Sequence, residues 1–408
     1  MWELFPPQLS VQNGRARVTS TIKEGASIRE LWFETEAEHQ AAIATDVCDA
    51  FLISILMPAM LQGKDIVVHG AISSKLYYNT THLLMASLQA YLPDAKLIKV
   101  TADRLASSFA QRGTAVLSGF SGGVDSFCNY YDHTGDRSPP EFLITHFVYN
   151  NVGSHGQKGA EKDQETFYNH AGSIRKFAEE EGKPLITVNS NLDTIMGMDF
   201  QLTHTIRNVT IPLLLQNLTA KFLYPSCSHI RFTEVKPSFD IAGLDAIILP
   251  LLSTERLDCI TSGAQYERTG KAVNVAAMPA SYRYLDVCVE PYLAKSGVIN
   301  CARCWKCMRS QMTFEVIGKL ELYSGVFDLN EYRLYKNLFL VDVLKSKNNH
   351  QEDLAAFIER HNYPVPRGVR LVAALTPQYI GHRIAKRVMP RLRNKLWLLK
   401  LFNKLTNI

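Results

Sequence analysis

Ser118-Gly119-Phe120-Ser121-Gly122-Gly123-Val124-Asp125-Ser126 closes the apolar run AVLSGF (115–120) and passes at once into a helical pattern. Strand, glycine turn and helix start in direct succession form an anion site, because unpaired backbone amides converge there and the helix dipole favours negative charge. The adjacent glycines let the backbone approach a phosphate closely, and Ser121 and Ser126 add hydroxyl donors. Downstream, strands at 142–150 (FLITHFVYN), 184–190 (PLITVNS) and 221–226 (KFLYPS) alternate with helices at 164–181 and 203–218. That alternation predicts a parallel sheet with helices on both faces. Upstream, the pattern predicts a strand near 11–22, a helix over 37–60, and strands at 65–70 (DIVVHG) and 96–101 (KLIKVT) around a helix at 74–91. Beyond residue 240 the pattern gives a helix at 243–249, a strand near 256–261, a cysteine loop and helices over 309–360.

The 408 residues, 46% apolar and 20% charged, exclude a disordered, collagenous or coiled-coil chain. Net charge is +5, but ten Lys/Arg and no Asp or Glu lie beyond residue 366, which leaves 34 basic against 39 acidic residues before it. An acidic body with a basic tail differs from a uniformly basic nucleic-acid binder. The start MWELFPPQLS has no basic region followed by an apolar run, and the most apolar window, 43–61, contains Asp46, Asp49 and Pro58. Neither a signal peptide nor a membrane span is expected.

No G-x-x-x-x-G-K-[ST] and no G-x-G-x-x-G occurs, which removes the main support for kinase, GTPase or dinucleotide readings. Late in the chain stands Cys301-Ala302-Arg303-Cys304-Trp305-Lys306-Cys307, with Cys288 upstream. Four thiolates suit tetrahedral zinc, and C-x-x-C spacing lets one turn present two sulfurs to one ion. An iron–sulfur cluster uses similarly tight spacing, and Cys259 or a histidine could replace Cys288 as fourth ligand. With three of eight cysteines so crowded, a reduced cytosolic setting fits better than a disulfide scaffold.

SGGVDS resembles the S-G-G-x-D-S signature of the PP-loop ATP pyrophosphatases. Together with the C-x-x-C-x-x-C loop it is similar to the cyano-deazaguanine synthases and their relatives, over about residues 115–309. Ala302 stands where a glycine is common in that family, and the gap from Cys288 to Cys301 is longer. The resemblance implies an α/β, Rossmann-like (adenine nucleotide alpha hydrolase-like) PP-loop domain with zinc loop at 113–310. Around it would lie an N-terminal α/β unit at 1–112, a helical extension at 311–365 and a basic amphipathic tail at 366–408.

It further implies an adenylating ligase that converts ATP with Mg2+ to AMP and pyrophosphate. Ser121, Gly122, Gly123, Val124, Asp125 and Ser126 would hold the nucleotide; Asp125, Ser121 and Ser126 would be catalytic. Asp125 would be a magnesium ligand or an acceptor that shapes the loop. Zinc would sit on Cys288, Cys301, Cys304 and Cys307. Ser253, Glu255 and Arg256 would contact a small-molecule or peptide substrate, and Arg207 and Lys271 would balance phosphate charge. His146 and His155 flank the second strand of this series but belong to no motif. Two rival readings are a tRNA-modifying enzyme, with RNA on the basic tail, and a non-catalytic nucleotide- and zinc-binding module.

In the tail, Ile384, Val388, Leu392, Leu396 and Leu399 recur at helical spacing among Arg383, Lys386, Arg387, Arg391, Arg393, Lys395, Lys400 and Lys404, with Pro390 as a break. A basic amphipathic helix of this kind is expected on an inner membrane surface or an acidic partner, or else packed on the protein's own body.

Overall fold

The computed structural model describes residues 1–154, 160–378, 384, 388–392 and 395–407, with backbone alone at 160–163 and 390. Eleven strands, β1 (Trp2–Leu4), β2 (Gln8–Gln12), β3 (Arg15–Glu24), β4 (Ser27–Glu36), β5 (Ile66–Ser73), β6 (Val100–Ala106), β7 (Ala115–Gly119), β8 (His146–Asn150), β9 (Leu185–Ser190), β10 (Thr219–Pro225) and β11 (Asp258–Ser262), form one mostly parallel sheet. Their order is β11-β10-β7-β8-β9-β4-β3-β1-β5-β6, with β2 paired to β3. The class is therefore α/β, compatible with a Rossmann-like arrangement. Because β7 lies between β8 and β10, the strand order reverses there, at the place where open α/β sheets bind ligands outside their carboxyl ends.

The chain divides into two compact units. The first, Met1–Phe120 with Asp132–Gln265, holds the whole sheet. Its helices are α1 (Asp49–Gln62), α2 (Ser74–Asn79), α3 (Met85–Tyr91), α5 (Ala160–Glu180), α6 (Leu192–Met196), α7 (Phe200–Leu214) and α8 (Asp245–Leu251); α4 (Val124–Asp132) falls almost entirely in the second unit. Strands β3 and β4 bury alternate residues, Ala16, Val18 and Ile22 on one and Leu31, Phe33 and Thr35 on the other, as a period-two pleat requires. They join through Gly25-Ala26, with Gly25 at φ +58°, the left-handed conformation a two-residue hairpin favours. β4 then pairs antiparallel with β9 (Phe33 opposite Ser190), so residues 1–106 and the later parallel strands share one sheet and one apolar core.

The helix expected over 37–60 is a 3-10 turn, Ala37–Ala42, followed by α1, which is buried on nearly every side. No helix among the described residues is long and apolar enough to cross a membrane.

The second unit, Ser121–Tyr131 with Tyr266–Ile408, is helical: α4, α9 (Arg268–Val275), α10 (Ser281–Tyr284), α11 (Trp305–Val316), α12 (Leu329–Lys345), α13 (Asn349–Arg360), α14 (Arg367–Leu375) and a final helix, Leu396–Thr406. Asp328 caps α12 by accepting from Asn330 N and Glu331 N. Glu315 on α11 accepts from Lys336 Nζ and the Tyr363 hydroxyl, each at 2.9 Å, fastening α11 to α12 and to the segment after α13.

Candidate functional site

Leaving β7, the chain enters the turn Ser121–Gly123 and starts α4 at Val124. Gly122 adopts φ +73°, a conformation nearly closed to side chains, and Gly123 O accepts from Phe127 N and the Ser126 hydroxyl, both at 3.0 Å. Ser126 is buried and its hydroxyl is directed back into the turn, whereas Ser121 is exposed. Asp125, on the first turn of α4, is gripped by two cations of α9: Arg268 Nη1 at 2.6 Å and Lys271 Nζ at 3.0 Å. Burial alone would raise the Asp125 pKa, but Arg268 and Lys271 outweigh it and hold the carboxyl well below the usual range. α9 is itself anchored by Asp353 of α13, which accepts from Thr269 N and Oγ1, each at 2.8 Å. Near this cluster, the positive charge of Arg309 and Arg268 lowers the pKa of the exposed His350. Two cations facing one carboxylate beside a helix N-terminus leave a net positive field that can accept an anion.

The four cysteines meet in the same unit. Each offers Sγ within 4.8 Å of the others, and Cys301 Sγ and Cys307 Sγ are 4.0 Å apart. Zinc–sulfur bonds of about 2.3 Å in a tetrahedron put sulfurs about 3.8 Å apart, so the cluster can hold a metal such as zinc. Cys301 Sγ accepts from Cys304 N at 3.3 Å, and Cys288 Sγ accepts from Cys301 N at 3.4 Å. Cys304 then precedes α11, which carries Cys307 in its first turn. Asn300, fully buried, staples the two arms: its Oδ1 accepts from Val287 N and its Nδ2 donates to Leu285 O, both at 2.8 Å. None of the eight cysteines is in a disulfide. Burial raises the pKa of Cys307, the deepest of the four sulfurs, above its ordinary value. A cation would offset that cost by stabilising the thiolate.

Turn and cysteine loop are joined directly. Asp286 N donates to Gly122 O at 2.8 Å, and Asp286 Oδ1 accepts from Cys288 N at 3.2 Å. A methyl group on Gly122 would meet Tyr284 O at 3.4 Å. The loop that brings Cys288 to the cluster therefore also shapes the glycine turn.

Arg268, Asp286 and His350 escaped the sequence reading. Arg268 had a signal, since it and Lys271 sit three apart and so share one helical face. Other expected residues lie in the first unit with structural partners. Arg256 is buried, its Nη2 3.1 Å from Asp46 Oδ1 and its Nη1 2.8 Å from Asn217 Oδ1. Ser253 Oγ accepts from Cys259 N at 2.9 Å, and Glu255 Oε1 accepts from Lys75 N at 2.8 Å. Arg207, wholly buried, holds Val152 O, Met198 O, Asp193 and Thr203. His146 Nδ1 is 2.8 Å from Thr145 Oγ1; burial and the positive charge of nearby groups lower its pKa. His155 lies outside the described residues.

No protein-family model, curated protein or solved structure matches the chain.

Proposed function

We propose that the chain is an ATP-dependent adenylating ligase of the PP-loop type. The observation that carries this reading is the Asp286 bridge, which ties a strand-to-helix glycine turn, faced by Arg268 and Lys271, to a four-cysteine metal loop. The turn amides and the α4 dipole would receive the β- and γ-phosphates of ATP. A carboxylate or amide oxygen of the acceptor attacks the α-phosphorus, the bond to the α–β bridging oxygen breaks, and pyrophosphate leaves with that electron pair. A nitrogen nucleophile then displaces AMP and loses a proton to solvent. Catalysis rests on holding the phosphates in line and neutralising charge on the leaving oxygens.

Mg2+ would arrive on the phosphate oxygens of ATP. Both Asp125 oxygens are engaged by cations, so its fit is to the orienting role, holding Arg268 and Lys271 at the phosphate turn. Zinc on Cys288, Cys301, Cys304 and Cys307 has no open position and would be structural.

The test is product analysis with Mg·ATP and pooled small-molecule and peptide acceptors. AMP and pyrophosphate are expected; ADP as the nucleotide product would overturn the assignment. Gly122→Ala should weaken ATP binding at least tenfold, because a side chain at φ +73° costs about 1–2 kcal/mol and its methyl, 3.4 Å from Tyr284 O, would shift the turn that receives the phosphates. Gly123→Ala, which has no such backbone strain, should perturb the fold less while still hindering the phosphate. Equal calorimetric affinities for the wild type and Gly122→Ala would refute the turn's role.

The tail supports a second feature of the proposal, a peripheral seat on anionic lipid. Part of the expected stripe packs on the second unit itself: Ile384 and Leu399 are buried, and Asn337 Nδ2 donates to Thr406 Oγ1 at 2.9 Å. Another face of the final helix exposes Trp397, Leu401 and Leu405 at four-residue intervals, with Lys400 and Lys404 also exposed. Such a face enters the headgroup boundary while its lysines meet anionic lipid. Arg383, Lys386, Arg387 and Arg393 lie outside the described residues. The wild type should sediment with phosphatidylserine vesicles and Trp397→Glu/Leu401→Glu should not; equal sedimentation would exclude this face.

A further inference from the structure

The first unit carries a cluster that the proposed ligase chemistry does not use. It lies at the carboxyl end of β10, beside the strand at which the sheet order reverses, where α/β sheets take their ligands. His204 projects from α7, Cys227 follows β10 by two residues, and Asp240 precedes the 3-10 turn Ile241–Leu244. One donor atom from each lies within 4.8 Å of the other two.

We propose that His204, Cys227 and Asp240 form a second metal site, which takes zinc and keeps one coordination position open. Imidazole, thiolate and carboxylate are the three donor types zinc accepts, and three protein ligands with a vacant fourth position are the pattern of reactive rather than structural zinc. The ligands are already oriented. His204 Nε2 is 3.0 Å from Asp240 Oδ1, and Nδ1 is 3.0 Å from the Tyr224 hydroxyl, the outer partner that fixes the ring of a metal-bound histidine. Asp240 is steadied by Gln201 Nε2 at 3.0 Å and by Ala242 N at 2.9 Å. Ser226, next to Cys227, donates to the buried Asp245 at 2.7 Å, as does Thr205, next to His204.

Burial grades across the set: His204 is buried, Asp240 half-exposed and Cys227 exposed, so the open position faces solvent.

The full chain, dialysed against buffered micromolar Zn2+ and counted by elemental analysis, should bind one more zinc than Cys227→Ser/Asp240→Asn. Because the readout is that difference, it reports this site whatever the four-cysteine cluster holds. Both substitutions replace accessible side chains with near-isosteres, so the fold should persist. As a second measurement, Co2+-loaded Cys227→Ser should lose one thiolate's share of the sulfur-to-cobalt absorption and keep that of the four cysteines. Equal zinc counts, or an unchanged cobalt spectrum, would overturn the proposal.

Discussion

Cys304→Ser should lower the melting temperature by about 10 °C or more, since structural zinc contributes many kcal/mol and each kcal/mol is worth about 2–4 °C in a unit of this size. The sulfur is buried, and no hydroxyl can replace it as a zinc ligand of comparable affinity. A strong chelator acting on the wild type should reproduce the shift. Nucleotide affinity should fall before the unit melts, because the Cys288 arm reaches the glycine turn through Asp286. Scanning calorimetry with and without chelator checks this: coincident traces for wild type, chelated wild type and variant would remove the metal from the cluster. Iron with labile sulfide in the purified protein would replace zinc by an iron–sulfur cluster.

Asp125→Ala should destabilise the second unit by about 3–5 kcal/mol, the cost of leaving a buried partner charge uncompensated. Lys271 is only 2% exposed and Arg268 11%, so neither can turn freely to solvent. AMP formation should fall about a hundredfold, since misplaced orienting cations cost roughly that much. The sign of the pH dependence follows from the depressed carboxyl. Its stabilisation is fully present above the unfolded-state value, near pH 4, and is lost as pH falls through the lower folded value. The stability gap between the wild type and Asp125→Asn should thus be flat around neutrality and close in acid. Denaturant midpoints from pH 7 to pH 2.5 measure it; a gap that stays constant to the lowest pH would mean that Asp125 is not ion-paired.

Sequence patterns located what depends on near neighbours. The β7 turn, the helix behind it and the C-x-x-C-x-x-C loop are local objects, and four crowded thiols have few other uses. β4 was missed because SIRELWFETE follows a turn with no strong flanking signal and its core face is set by β3 and β9. Likewise, Arg207, Arg256 and Lys271 look alike as isolated cations. Only the fold shows that the first two are internal struts and that the third faces Asp125. The Asp286–Gly122 link joins residues 164 apart through backbone atoms, which no side-chain pattern can announce.

The junction of β4 and β9 also bears on how the chain is made. Strands β1 to β4 leave the ribosome well before residues 185–190 exist to cover them. During that interval β4 offers an open row of amides and carbonyls to any other nascent strand. The finished seam has a short ladder, and Asn191 extends it by accepting from Trp32 N at 2.9 Å and donating to Glu30 O at 2.8 Å. The charges on that strand, Arg29, Glu30, Glu34 and Glu36, keep the waiting edge soluble until its partner arrives.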